Sequence, residues 1–285
     1  MARLAESTPT RPSFDWRNSL ALLVLTGLAV VFLAPFVWLV LTALKSYAEI
    51  GAFPIHWLPQ QPLWSNFYHA LTDINFAQYA VNSVTLAVIY TTLVTLSSSL
   101  VGFGFARLRG YGKQTIFVVM LATIMLPPIL TVIPTYVLFS KIGLIDTYWP
   151  WVLWGLGASP FLTFLFRQFF AAIPKELEEA AIIDGCSYWR IYWQIFLPLS
   201  KPVLATAALL AFATTWGDWF TPSIFLNDSN TTLAVAIRTG YTNSQGYQLI
   251  NVATAGAILY ILPVLAAFFF AQRFFVKGIV TTGLK

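Results

Sequence analysis

Charge is scarce in this chain. Asp, Glu, Lys and Arg make up 9% of its 285 residues, against 58% hydrophobic residues. A soluble domain carries roughly 25% charged residues, so this chain cannot coat a water-facing surface of its own size. That excludes a soluble enzyme and a disordered scaffold. Cysteine is scarcer still: Cys186 stands alone, which leaves no internal disulfide framework. Histidine occurs only as His56 and His69, too few for an imidazole-built metal site, and no metal is expected. No Gly-x-x-x-x-Gly-Lys-Ser/Thr run is present, and the nearest pair, Gly112-Lys113, is followed by Gln114. The chain therefore has no phosphate-cradling loop of its own. The net charge of +5 invites a polyanion, but the basic residues are scattered, which excludes a nucleic-acid-binding module. No clustered catalytic set is visible, so no catalytic residue is expected.

Long apolar runs fill the space that charge leaves. A membrane helix needs about 20 mostly apolar residues. Such runs cover 20–44, 81–106, 115–139, 149–166, 202–226 and 252–270. The expected fold class is all-α, a polytopic membrane protein with six transmembrane helices. Pro127, Pro128 and Pro134 interrupt the third run and should kink or break it. Gly102 and Gly104 in the second run permit close helix packing. Six spans put both termini on one side, and the Lys/Arg bias names that side. Thirteen of the basic residues fall on one face: Arg3, Arg11 and Arg17, then Arg107, Arg109 and Lys113, then Arg167, Lys175, Arg190 and Lys201, then Arg273, Lys277 and Lys285. The other face has Lys45, Lys141 and Arg238. Both termini are expected in the cytoplasm. The outer connections carry Trp57, Trp64, Tyr148, Trp149 and Trp151, an aromatic belt for the lipid boundary.

These runs divide the chain into an N-terminal arm (1–19), a first, peripheral span (20–44), an outer connection (45–80), a core (81–275) and a basic tail (276–285). In the outer connection 227–251, the run Thr232 to Arg238 could form a short surface helix. The longest cytoplasmic connection, 171–201, reads as two short helices at an angle. Pro174 sits where a helix favours its first residue. Glu176, Glu178 and Glu179 follow where the helix dipole favours negative charge. Gly185 stops this helix. Ser187 caps a second helix, Tyr188 to Leu197, which Pro198 ends. Tyr188, Ile191, Tyr192 and Ile195 share one face of it. The pattern alone fits a helix lying on the inner leaflet as well as one facing a protein.

One acid falls within a run. Asp218 lies sixteen residues beyond Pro202, roughly 24 Å along a helix at about 1.5 Å per residue. An acid there is costly unless it faces a bundle interior or water. With Trp216 and Trp219 it could line a substrate pathway. A structural polar contact fits the same residues.

Glu179-Ala180-Ala181, three residues, Gly185, nine residues, then Ile195-Phe196-Leu197-Pro198 resembles the EAA loop of ABC importer permeases. Ile133 to Phe139, continuing through Gly143 to Trp149, is similar to the third-to-fourth-helix stretch of carbohydrate-uptake permeases of the maltose type. Tyr79 to Ser83 and Phe275 to Gly278 fit that branch, and the resemblance covers roughly Asn66 to the end. It implies a type I permease fold in a bacterial or archaeal cytoplasmic membrane. It implies that Glu179, Ala180, Ala181, Gly185, Ile195, Leu197 and Pro198 couple the chain to a cytoplasmic ATPase. It further implies a second permease subunit, two ATPase subunits that use ATP and Mg²⁺, and an extracytoplasmic solute-binding protein, with surrounding lipid and no cofactor on this chain. The solute implied is a carbohydrate. A non-sugar solute such as a polyol phosphate is the alternative within the family. An ion-coupled secondary transporter is the rival outside it, although the inverted-repeat signature of many such proteins is not visible.

Overall fold

The computed structural model describes the backbone of residues 16–282 and the side chains of 18–272. The N-terminal arm up to residue 15, Lys285, and the side chains of Arg17, Arg273 and Lys277 lie outside the described residues.

Helix α1 (Trp16–Ala43) is apolar on every side, as a span surrounded by lipid or other helices must be. Short helices α2 (Tyr47–Ile50) and α3 (Ser65–Thr72) punctuate the connection that follows. Ser46 caps α2 in a reciprocal pair with Glu49. The backbone N–H groups of Ser46 and Gln60 hold the Glu49 carboxyl below the usual carboxylate range. This connection is tied down rather than draped. Asn66 on α3 donates to the Ala43 and Lys45 carbonyls at 2.8 and 2.9 Å. Its own oxygen accepts from Asn251 at 3.1 Å.

The centre of the fold is α4 (Phe76–Arg107), a single long helix. Helix α5 (Lys113–Ala122) and a 3₁₀ turn (Thr123–Met125) then meet α6 (Pro128–Lys141) at 100°. The break falls at Pro127 and Pro128, with Leu126 extended before them, the conformation a residue before proline prefers. Pro134 stays inside α6. Helix α7 (Trp149–Leu156) and α8 (Pro160–Ala172) follow, with Ser159 capping α8. The chain then turns by 76° into α9 (Lys175–Ile183). After α10 (Tyr188–Ile191), a π-helical segment Tyr192–Phe196 and α11 (Leu197–Leu199), it turns by 80° into α12 (Lys201–Gly217). Helices α13 (Phe220–Phe225), α14 (Leu233–Thr239) and α15 (Ile250–Thr282) complete the order. Among the described residues, one isolated antiparallel bridge, Thr242 to Gln248, is the only strand-like pairing.

Three helices are long and apolar enough to cross a membrane, and the count reaches six if each bent pair is one span. Within that frame, three expectations are corrected. The run 149–166 is not one continuous helix: it stops at Leu156 and restarts at Pro160, with Ala158 at φ +59° in the break. The run 202–226 is not one helix: it stops at Gly217 and restarts at Phe220. A continuous helix would need the Pro222 N–H to bond the Asp218 carbonyl, and proline has none. The second helix of the loop does not end at Pro198. It continues to Leu199, because the π segment, with the Leu197 N–H on the Tyr192 carbonyl, changes register just before the proline.

Packing is closest between α4 and α8. A Cβ on Gly102 would lie 2.6 Å from the Phe166 Cβ and 3.1 Å from the backbone at Arg167 and Thr163. Below this contact sits an aromatic core. Phe103 on α4 meets Phe170 on α8 at 6.0 Å, and Tyr192 and Phe196 of the loop at 5.3 and 5.0 Å. The loop is thus packed on the helix bundle as part of its core.

Candidate functional site: the loop 171–201

The loop is a helix-turn-helix whose turn is set by one residue. Gly185 has φ +80°, the left-handed region that glycine adopts without steric cost. The Cys186 N–H then reaches the Ala181 carbonyl at 2.9 Å and the Gly185 N–H reaches the Ile182 carbonyl at 3.0 Å. This pair of hydrogen bonds closes the end of α9. Ser187 accepts from the Arg190 N–H and opens α10, as expected. Pro174 takes the position just before α9, one residue earlier than its expected place.

Helix α9 has two faces. Glu178 and Ala181, three residues apart, are its buried residues. Ala181 joins the aromatic core. Glu176, Glu179, Ala180 and Ile183 share the opposite face at helical spacing and are all exposed. Ile183 is 86% exposed, an isoleucine that nothing among the described residues covers. Among the described residues Glu179 has no ion-pair partner. In the second half, Ile191, Tyr192 and Phe196 are buried. Ile195 and Leu197 are half-buried and Pro198 is exposed. Tyr188, expected beside Ile191, is instead exposed, and Phe196 takes the central place.

Sequence reasoning missed the loop's electrostatic anchor. Arg107, at the last position of α4, places Nη1 3.4 Å from a Glu178 oxygen, with side chains 4% and 12% exposed. Its Nη2 donates to the Phe170 carbonyl at 2.5 Å and to the Ile173 carbonyl. The guanidinium lies 4.9 Å over the Phe196 ring. The i, i+3 spacing puts Glu178 and Ala181 on one face of the helix, but only the fold shows that this face is the buried one and that Arg107 meets it.

The three residues singled out near the other end of α12 do not act as one group. Trp216 is buried, stacks on Tyr260 at 5.3 Å and donates Nε1–H to the Tyr260 carbonyl at 3.0 Å. Asp218 sits in the break, and one oxygen accepts from the Phe220 and Thr221 N–H groups at 3.0 and 3.1 Å. Trp219 lies under the Arg238 guanidinium at 3.8 Å. Trp219 also lines a cavity of about 370 Å³, with Gly217, Arg238, Gln248 and Tyr260.

Comparison with known proteins agrees with this architecture. The diacetylchitobiose uptake system permease protein NgcG of Streptomyces coelicolor is 31% identical over 275 residues, covering 96% of this chain and 89% of that protein. The lactose transport system permease protein LacG of Rhizobium radiobacter is 32% identical over 259 residues, covering 90% and 92%. The fold matches a chain of a bacterial ABC transporter involved in the import of the acidic polysaccharide alginate, with TM-score 0.76 at 23% identity over 94% of this chain and 100% of that one. A chain of the MetNI methionine ABC transporter matches with TM-score 0.53 at 18% identity over 70% of this chain and 93% of that one. The model of one family, described as binding-protein-dependent transport system inner membrane component, matches residues 98–281, a stretch that contains the whole loop. This chain belongs to that family.

Proposed function

We propose that this chain is a membrane-spanning subunit of an ATP-driven importer for a carbohydrate, coupled to a separate ATPase through the loop 171–201. The two-faced α9 carries the reading. One face is buried in the bundle, and the other presents Glu176, Glu179, Ala180 and Ile183 with no cover among the described residues. Such a face suits a cleft in a partner. The complex would hold a second permease subunit, two ATPase subunits and an extracytoplasmic solute-binding protein. ATP and Mg²⁺ would be bound by the ATPase subunits. Both termini and the loop would lie in the cytoplasm, in accord with the Lys/Arg bias. Solute type follows from relatives whose names specify diacetylchitobiose and lactose.

Cells lacking this chain should lose the high-affinity uptake of one labelled di- or oligosaccharide, because the membrane route itself is removed. Unchanged uptake of every sugar tested, with loss of a polyol phosphate, would select the alternative solute class.

Asp218, Trp216 and Trp219 would contribute to the solute pathway, Trp219 through the cavity it lines. Asp218→Asn isolates the charge, because Asn caps a helix about as well as Asp. The variant is expected to fold and assemble normally and to alter the KM for uptake. An unchanged KM would remove Asp218 from the pathway.

A further inference from the structure

The contacts of α9 with the rest of the chain are lopsided. Its backbone is joined to α8 and α10 through turns, and its side chains reach inward at Ala181 and Glu178. Ala181 offers a methyl group against rings. Such a contact resists compression but exerts no directional pull. Glu178 offers a charge, and Arg107 holds it. Arg107 is anchored on three other sides: the Phe170 and Ile173 carbonyls at the end of α8, and the Phe196 ring. One guanidinium therefore touches α8, α9 and the π segment while belonging to α4. Burial matters here, because water and salt screen an exposed pair but hardly screen one at 4% and 12% exposure.

We propose that the Arg107–Glu178 pair is the link through which movement of the loop reaches α4, which makes Arg107 and Glu178 positioning residues for coupling. The inference rests on the coupling reading of the loop. The partner's push arrives on the outward face of α9, at Glu179, Ala180 and Ile183. A helix of 9 residues transmits that push across its own diameter to Glu178. From there it passes to the last residue of α4, a helix of 32 residues at the centre of the fold. The buried Nε–H of Arg107 has no acceptor among the described residues, which leaves a donor beside Glu178 for a shifted α9 to meet. A bond gained or lost there would be the differential contact between two states that coupling requires.

The test uses the full complex, reconstituted in proteoliposomes with its ATPase subunits and binding protein. Glu178→Gln keeps size and hydrogen-bonding capacity and removes the charge. ATP hydrolysed per solute imported is expected to rise by roughly tenfold, within the usual range of coupling between sites. The ATPase subunits should still co-purify, and Glu178→Asp, which restores the charge, should return part of the loss. Arg107→Lys is read in the same way. It keeps the charge but loses the fork that reaches both carbonyls, so it also guards against a Glu178 variant that fails to fold. An unchanged ratio in both variants would overturn the link. So would a proportional fall in uptake and hydrolysis caused by lost assembly, since that is what a merely structural pair gives. A wild-type chain that carries no ATPase would instead overturn the coupling reading itself.

Discussion

Gly185→Pro is expected to abolish solute uptake while the chain still inserts in the membrane. Proline fixes φ near −65°, and the turn requires +80°. Proline also lacks the N–H that bonds the Ile182 carbonyl at 3.0 Å. Either defect alone is incompatible with the hydrogen-bonded turn that ends α9. The apolar spans that govern insertion lie elsewhere, so the damage falls on the angle between α9 and α10. Gly185→Ala gives the graded control. A Cβ there meets nothing within 4 Å, so its cost is the left-handed conformation alone, about 1–2 kcal/mol. Uptake should fall in part with alanine and wholly with proline, at equal amounts of membrane-inserted protein. Full uptake in the proline variant would mean that the loop's geometry has no part in transport.

Gly102→Leu should fail for a different reason, by driving α4 away from α8. The Cβ would lie 2.6 Å from Phe166 and 3.1 Å from two backbone atoms of α8, and backbone cannot step aside as a flexible side chain can. Overpacking of this kind costs about 3 kcal/mol, the upper part of its usual range. A thermal midpoint in detergent should drop by on the order of 5–10 °C. Gly104→Ala supplies the contrast, since its nearest neighbour is Leu108 Cδ1 at 4.0 Å. A Gly102→Leu variant as stable as its parent would show that α4 and α8 are not held at this distance.

The spans and the loop are legible in the sequence because each rests on local information. Apolar runs report length and burial in lipid, and the spacing from Glu179 to Pro198 is contiguous. Thr232 to Arg238 likewise reads as a helix and forms one at Leu233–Thr239. Breaks are harder. Pro222 gives no sign by itself that the helix stops at Gly217, because the missing bond lies four residues away, at Asp218. Pro198 looks like a helix end until the π segment before it is seen. The Arg107–Glu178 pair is illegible for a deeper reason. Its members come from separate helices and meet only through the packing of α4 on α8. By sequence, Arg107 is a marker of topology and Glu178 one acid of a helix N-terminus. Trp216 and Trp219 flank Asp218 in sequence, yet one packs on Tyr260 and the other under Arg238. The break between them turns their rings to different neighbours.

The most direct test of the account is to purify the tagged chain from crosslinked native membranes and measure ATP hydrolysis. The account predicts a stoichiometric partner containing a phosphate-binding loop, with hydrolysis that rises when a solute-loaded binding protein is added. That rise should vanish in Gly185→Pro. A chain recovered from intact, crosslinked membranes with no ATPase attached would contradict it.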